Sequence, residues 1–170
     1  MRRDRPIYLR GKTKWFRAQQ PNKYGKWSHD IYLTEESLET FRELQMSENG
    51  IEGIKNDIKK DEDGFYVTLS RPTRRTYAGK DTPFNPPQVL DSKGAPYLGT
   101  VGNGSDVTTK VEVYTYNVPM TKGVKGTAIR WDSSRIDNLV EFVPDRDYFA
   151  VEEKQVAALR KQPEPVEGGW

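Results

Sequence analysis

The chain has no cysteine, which removes disulfide staples, thiolate metal sites and cysteine nucleophiles together and suits a reducing cytoplasm. Its single histidine, His29, rules out a multi-histidine metal site within the chain and leaves one ring for any Ser-His-Asp arrangement. A half-buried, hydrogen-bonded imidazole is the commoner fate of such a residue. No run approaches eighteen apolar residues, and no apolar segment follows the basic N-terminus, so neither a membrane span nor a secretory signal is read. Apolar residues are only 34% and charged residues 31% of the 170. With 11 prolines and 14 glycines, this composition predicts one domain, long enough for a real core, carrying long polar loops.

The net charge of +2 hides an uneven distribution. Nine Lys and Arg against one acid, Asp4, fall in residues 1 to 26, whereas residues 35 to 63 hold ten acids against four cations. A basic and an acidic face follow if these segments fold on opposite sides. Aromatics are interleaved with the N-terminal cations, as in proteins that stack bases, and this favours phosphate contact over a merely solvated arm.

Hydrophobic periodicity places the elements. Lys12 to Ala18 reads as a first strand with Phe16 and Ala18 inward and Trp15 and Arg17 on the other face. Gln19 to Gly25 is a polar turn carrying Lys23 and Tyr24. Lys26 to Leu33 then alternates Trp27, His29, Ile31 and Leu33 against Lys26, Ser28, Asp30 and Tyr32. Thr34 is an N-cap, Leu33 and Leu38 form a staple, and Leu38, Phe41 and Leu44 give the helix one apolar stripe with which to close a barrel end. Ile51, Ile54 and Ile58 suggest a second short helix, weakened by Gly50 and Gly53. The acids Asp61 to Asp63 read as a solvated turn.

Phe65 to Arg71 alternates again, with Tyr66 on the polar side. Next, RPTRRTYAGK sets Arg71, Arg74, Arg75 and Lys80 around Tyr77 in a stretch that Pro72 and Gly79 hold out of regular structure, a composition suited to gripping phosphates. Phe84 is either a contact or a plug into the core. From Val107 to Val113 the odd positions are Val, Thr, Val, Val, while Lys110, Tyr114 and Tyr116 share the polar phase. Pro119 to Gly126 reads as a finger. Thr127 to Trp131 and Ile136 to Val143 follow, broken at Asp132, Ser133 and Ser134 by a bulge or corner, and Trp131 goes with Ile129 into the core.

Several look-alikes fall away. Gly99 to Ser105 has no lysine after its last glycine and leads into a strand, so it lacks phosphate-loop geometry. Asn103-Gly-Ser105 matches a glycosylation acceptor that has no secretory context. Asp145 and Asp147 have no third group that would make a nuclease. Glu152 to Gln162 is compatible with a loosely attached helix, and Pro163 to Trp170 with a disordered tail.

From Pro86 to Phe142 the order of PP, DSKGAPYLGTVGNGS (Asp91 to Ser105), an alternating strand ending in YTYN, a glycine finger and RIDNLVEF (Arg135 to Phe142) resembles the bacteriophage single-stranded DNA-binding proteins with an OB fold. The likeness covers the last two thirds of the chain and is weaker before residue 70, where it rests on WSHDIYL. It implies a five-stranded OB-type β-barrel with an inserted α-helix over residues 1 to 150 and a mobile C-terminal tail over 151 to 170. The implied protein coats single strands in phage replication, recombination or repair, in the cytoplasm of the infected host, without catalysis or cofactor. The candidate DNA-binding residues are Trp15, Arg17, Lys23, Tyr24, Lys26, Tyr66, Arg71, Arg74, Arg75, Tyr77, Lys110, Tyr114 and Tyr116. Of these, strand parity groups Trp15, Tyr66, Tyr114 and Tyr116 as one stacking platform. In the tail, Glu164, Glu167 and Trp170 are candidates for recruiting replication proteins. An RNA-binding or duplex-tolerant barrel and a metal-dependent phage nuclease stay open as alternatives, and so does homo-oligomerisation.

Overall fold

The barrel begins at Ile7, not at Lys12 as periodicity suggests. In the computed structural model, which describes residues 6–47, 52–77, 79–117, 123 and 125–141, without the side chains of Arg75, Thr76 and Tyr77, β1 is Ile7–Arg17. Ile7, Leu9 and Thr13 are its buried positions. Two apolar residues followed by Gly11 were too short a pattern to stand out among arginines. A register shift between Lys14 and Arg17 then inverts the phase, so Phe16 and Ala18 also pack on the core.

The strand β2, Lys26–Leu33, keeps the expected alternation, but His29 is fully buried instead of half-buried. Helix α1, Glu35–Gln45, starts on Thr34, whose side chain accepts from the Ser37 amide. Its buried positions are Ser37, Phe41 and Leu44. Ser37, not Leu38, takes the inner place because its hydroxyl accepts from Arg10 N at 2.8 Å, fastening the helix to β1.

No second helix forms at Ile54 and Ile58, and Ile51 lies outside the described residues. Gly53 passes so close to the end of α1 that a Cβ there would sit 1.9 Å from Gln45 O. This leaves Ile54 extended, bridging Thr127. The short strand β3, Lys59–Asp61, turns through the acidic residues into β4, Gly64–Pro72.

The stretch expected to be an irregular basic loop is a hairpin, β5 Arg74–Tyr77 and β6 Lys80–Pro83. Pro72 and Pro83 only terminate strands, where a missing N–H costs nothing, and Gly79 takes the turn at φ 79°. Strand β7, Gln88–Leu90, runs parallel to β9. Strand β8 is Asp106–Asn117, and β9 is one continuous strand, Lys125–Asn138. The break expected in β9 is a bulge, since Lys110 pairs with Ser133 and Val111 with Trp131, leaving Asp132 extra.

The main sheet has the order β3-β4-β2-β1-β8-β9-β7, and its five long strands wrap into an OB-type barrel. Closure falls between β4 and β9, where Arg71 donates to Trp131 O at 3.3 Å. Beside that seam, Lys55 N donates to Thr127 O at 2.8 Å and Ile129 N to Asn56 Oδ1 at 2.9 Å. At the centre, Trp131, with Ile129 beside it in the core as expected, packs against His29 and Phe16 with ring centroids 4.4 and 5.1 Å away. This compact unit spans Met1–Val140. Of the finger expected at 119–126, residues 119–122 and 124 lie outside the described residues and Lys125 and Gly126 already belong to β9, while the helix expected at 152–162 and the tail with Glu164, Glu167 and Trp170 lie wholly outside them.

Candidate nucleic-acid interface

The outer face of β1, β2 and β4 is built by the polar phase of each strand. Antiparallel pairing aligns Lys12 with Tyr32, Tyr32 with Tyr66, and Tyr66 with Lys59, so one row crosses four strands. Within it Tyr32 and Tyr66 stack, with centroids 4.9 Å apart and planes at 30°. Lys14 Nζ lies 5.0 Å from the Tyr32 centroid and Lys59 Nζ 5.9 Å from that of Tyr66. Asp30 and Thr68, hydrogen-bonded at 2.7 Å, and then Ser28 and Ser70 face each other further along, a track of polar residues between the tyrosine pair and the loop before β2.

The β3–β4 turn contacts the cationic end of this row. Lys14 Nζ is 2.6 Å from Asp63 Oδ2, and this hydrogen bond raises the lysine's pKa above its ordinary value. The Tyr32 hydroxyl donates to Asp61 at 2.5 Å. Desolvation, then that hydrogen bond, push the phenol's pKa up to about 12, and the same bond holds Asp61 below the usual carboxylate range.

At the other end of the track stand Arg17, Lys23, Tyr24 and Lys26, all exposed. Lys23 Nζ sits 5.2 Å over the Tyr24 ring, which is 74% exposed. Thr73 ties this loop to the base of the β5–β6 hairpin by donating through N and Oγ1 to Gly25 O, each at 3.0 Å. The fold therefore brings Lys23, Tyr24 and Lys26 beside the hairpin that carries Arg74, Arg75 and Tyr77. Arg74 is paired with Asp81 at 2.7 Å. Trp15 stands at the bulge of β1, 62% exposed, with its backbone N–H donated to Asn103 Oδ1 at 2.9 Å.

Tyr114 and Tyr116 form a separate cluster, so strand parity alone did not assemble one platform. Asp106 of β8 is level with Lys12 and the tyrosine row, and Tyr114 lies eight residues further on, roughly 27 Å along the strand. Tyr114 and Tyr116 are 6.2 Å apart, and Tyr116 lies across Gly126, where a Cβ would come within 2.4 Å of its ring. Arg130 stacks 4.0 Å over Tyr114 and lies 5.2 Å from Phe84. Arg71 also lies against Phe84, at 4.8 Å. Phe84 thus packs against the core at the barrel seam, with two guanidiniums near its ring.

The fork of Arg71 is spent within the fold, on Asn85 O at 2.7 Å and on Trp131 O, and its side chain is only 15% exposed. Lys110 lies on β8 beside Tyr8 of β1 and faces Asp132 at 3.8 Å, away from the track. Sequence reasoning missed Tyr32, Lys14 and Lys59 as partners of Tyr66. Their parity was readable, but the cross-strand register that sets Tyr32 directly opposite Tyr66 was not.

No protein-family model matches the chain, and no curated protein matches it in sequence. Among solved structures it is similar to the single-stranded DNA-binding protein encoded by bacteriophage T7, with a TM-score of 0.60 and 14% identity over 96% of this chain and 98% of that one. It is also similar to the single-stranded DNA-binding protein of bacteriophage Enc34, with a TM-score of 0.53 and 11% identity over 82% of this chain and 84% of that one. The Enc34 protein in complex with single-stranded DNA gives a TM-score of 0.53 and 11% identity, covering 82% and 89%. At these identities the likeness is one of fold, shared with those phage proteins over 82% to 96% of this chain.

Proposed function

We propose that this chain is a bacteriophage single-stranded DNA-binding protein that coats exposed strands in replication, recombination or repair, and that it performs no catalysis. The observation that carries the reading is the stacked Tyr32–Tyr66 pair on the outer barrel face, with Lys14 and Lys59 over its rings. An aromatic face stacks on unpaired bases of any sequence, and adjacent cations take the backbone phosphates. The shared fold with phage proteins that bind single strands, one of them in complex with such a strand, supports the same reading.

In the proposed path the strand runs from Tyr66 past Trp15 and Arg17 to Lys23, Tyr24 and Lys26, with Arg74, Arg75 and Tyr77 of the hairpin alongside. Tyr114, Tyr116 and Lys110 offer a second contact surface on β8, and Arg71 supports it from within the fold. The acids Glu164 and Glu167 and the aromatic Trp170 are proposed to recruit replication partners in the host cytoplasm. Among the described residues no helix is long and apolar enough to cross a membrane.

Titration of labelled single-stranded DNA, RNA and duplex against the parent, Tyr32→Ala and Tyr66→Ala tests the proposal. The parent should favour single strands over duplex, and each substitution should cost about 1–3 kcal/mol of single-strand affinity. Two folded variants that bind as tightly as the parent would remove the tyrosine pair from the site, and a parent that binds only duplex would overturn the function.

A further inference from the structure

Trp15 is held in a conformation that the fold alone does not explain. It is the only described non-glycine residue with positive φ, at 55°, a region unfavourable for a bulky side chain. It also leaves most of its indole in water. The bulge itself has a purpose in packing, because shifting the register between Lys14 and Arg17 turns Phe16 inward against His29 and Trp131. A glycine at position 15 would make the same bulge without strain, as bulges of this kind commonly use. Strain and exposure at one residue point to a use outside the core.

We propose that Asn103 is a positioning residue for strand binding. Its amide oxygen takes the Trp15 N–H, which the bulge has released from the sheet ladder, and so fixes the left-handed turn that presents the indole to a base. This rests on the strand-binding function proposed above. The turn that carries Asn103 is anchored on both sides. Gly104 N donates to Thr13 O and Thr13 N to Ser105 O, both at 2.8 Å. Gly102 N donates to Val140 O at 2.8 Å, and Val140 N returns to Ser105 Oγ at 2.8 Å. Asn103 is itself exposed, so its side chain adds little to the core, whereas an aromatic carried on a fixed backbone turn loses less freedom when a base arrives.

A double-mutant cycle tests the assignment, with affinity for labelled oligothymidylate measured at low salt on the parent, Trp15→Ala, Asn103→Ala and the double variant. Asn103→Ala should keep the melting temperature near the parent's and weaken binding about fivefold, and in the Trp15→Ala background the same change should cost less than about twofold. A full fivefold loss without Trp15 would mean that Asn103 touches the strand or shapes the site by another route, and an unchanged Asn103→Ala would equally overturn the proposal. A readout without DNA separates this from failure of the function itself. In a Trp170→Phe background, Asn103→Ala should speed the fluorescence depolarisation of the exposed indole, while Asn103→Asp, which keeps the accepting oxygen, should leave it at the parent's rate. Identical depolarisation in all three would overturn the positioning role, whether or not the parent binds DNA.

Discussion

At the scale of single residues, His29 links the core to pH. Trp131 Nε1 donates to Ser134 Oγ at 2.9 Å, and Thr13 Oγ1 donates to Asp30 O at 3.0 Å. These two ends fix the chain between them: Ser134 Oγ gives its proton to Thr109 Oγ1, Thr109 Oγ1 to His29 Nε2, and His29 Nδ1 to Thr13 Oγ1. The neutral imidazole has both nitrogens satisfied, and a second ring proton would face Thr109 with no acceptor free. Burial pushes its pKa down to about 3. The unfolded chain binds that proton from about pH 6.5 downward and the folded chain does not, so stability is complete above pH 6.5 and falls as pH drops toward 3, by about 1.4 kcal/mol per unit. Denaturation at pH 7 and pH 5 should differ by about 2 kcal/mol from this residue. NMR of the single histidine should show no titration of the folded protein between pH 8 and pH 4, and a midpoint near 6.5 would refute the buried neutral ring.

At the scale of elements, the β3–β4 turn sets carboxylates where phosphates are proposed to lie. Asp63 occupies Lys14 and Asp61 occupies the Tyr32 hydroxyl, so a strand entering this end must displace acids before it gains the lysine. Asp63→Asn should therefore tighten single-strand binding at low salt and steepen the slope of log affinity against log salt by about 0.7, the increment for one more phosphate on a single strand. An unaltered slope would place Lys14 outside the phosphate path. What the sequence made legible here was local. The N-cap at Thr34, the alternation of β2, β4 and β8 and the bulge near Asp132 follow from side-chain period and polarity. The start of β1, the anchoring of the hairpin Arg74–Pro83 at its base and the extended course of Ile54 depend on partners far along the chain, namely Val111, Gly25 and Thr127, which no window of sequence contains. The candidate site divides in the same way, because residue type and parity select Tyr66 and Tyr114, whereas only register tells which aromatic each one meets.

At the scale of the whole molecule, the nearly neutral net charge conceals a cationic end. Among the described residues Arg17, Lys23 and Lys26 have no acid partner, whereas Arg74 is held by Asp81, Lys110 faces Asp132, and Arg71 and Arg130 share Glu112. An ion-paired arginine releases few counterions on meeting a phosphate, since its charge is already offset. These three, gathered around the loop before β2, should account for most of the salt dependence. Replacing Arg17, Lys23 and Lys26 together by glutamine is expected to flatten the slope of log affinity against log salt by about 2, the sum of three single-strand phosphate contacts, while Arg74→Gln with Arg75→Gln flattens it less. Titrations between roughly 50 and 200 mM salt decide the matter. A larger loss from the hairpin pair than from the loop trio would shift the phosphate path off the barrel face and onto β5 and β6.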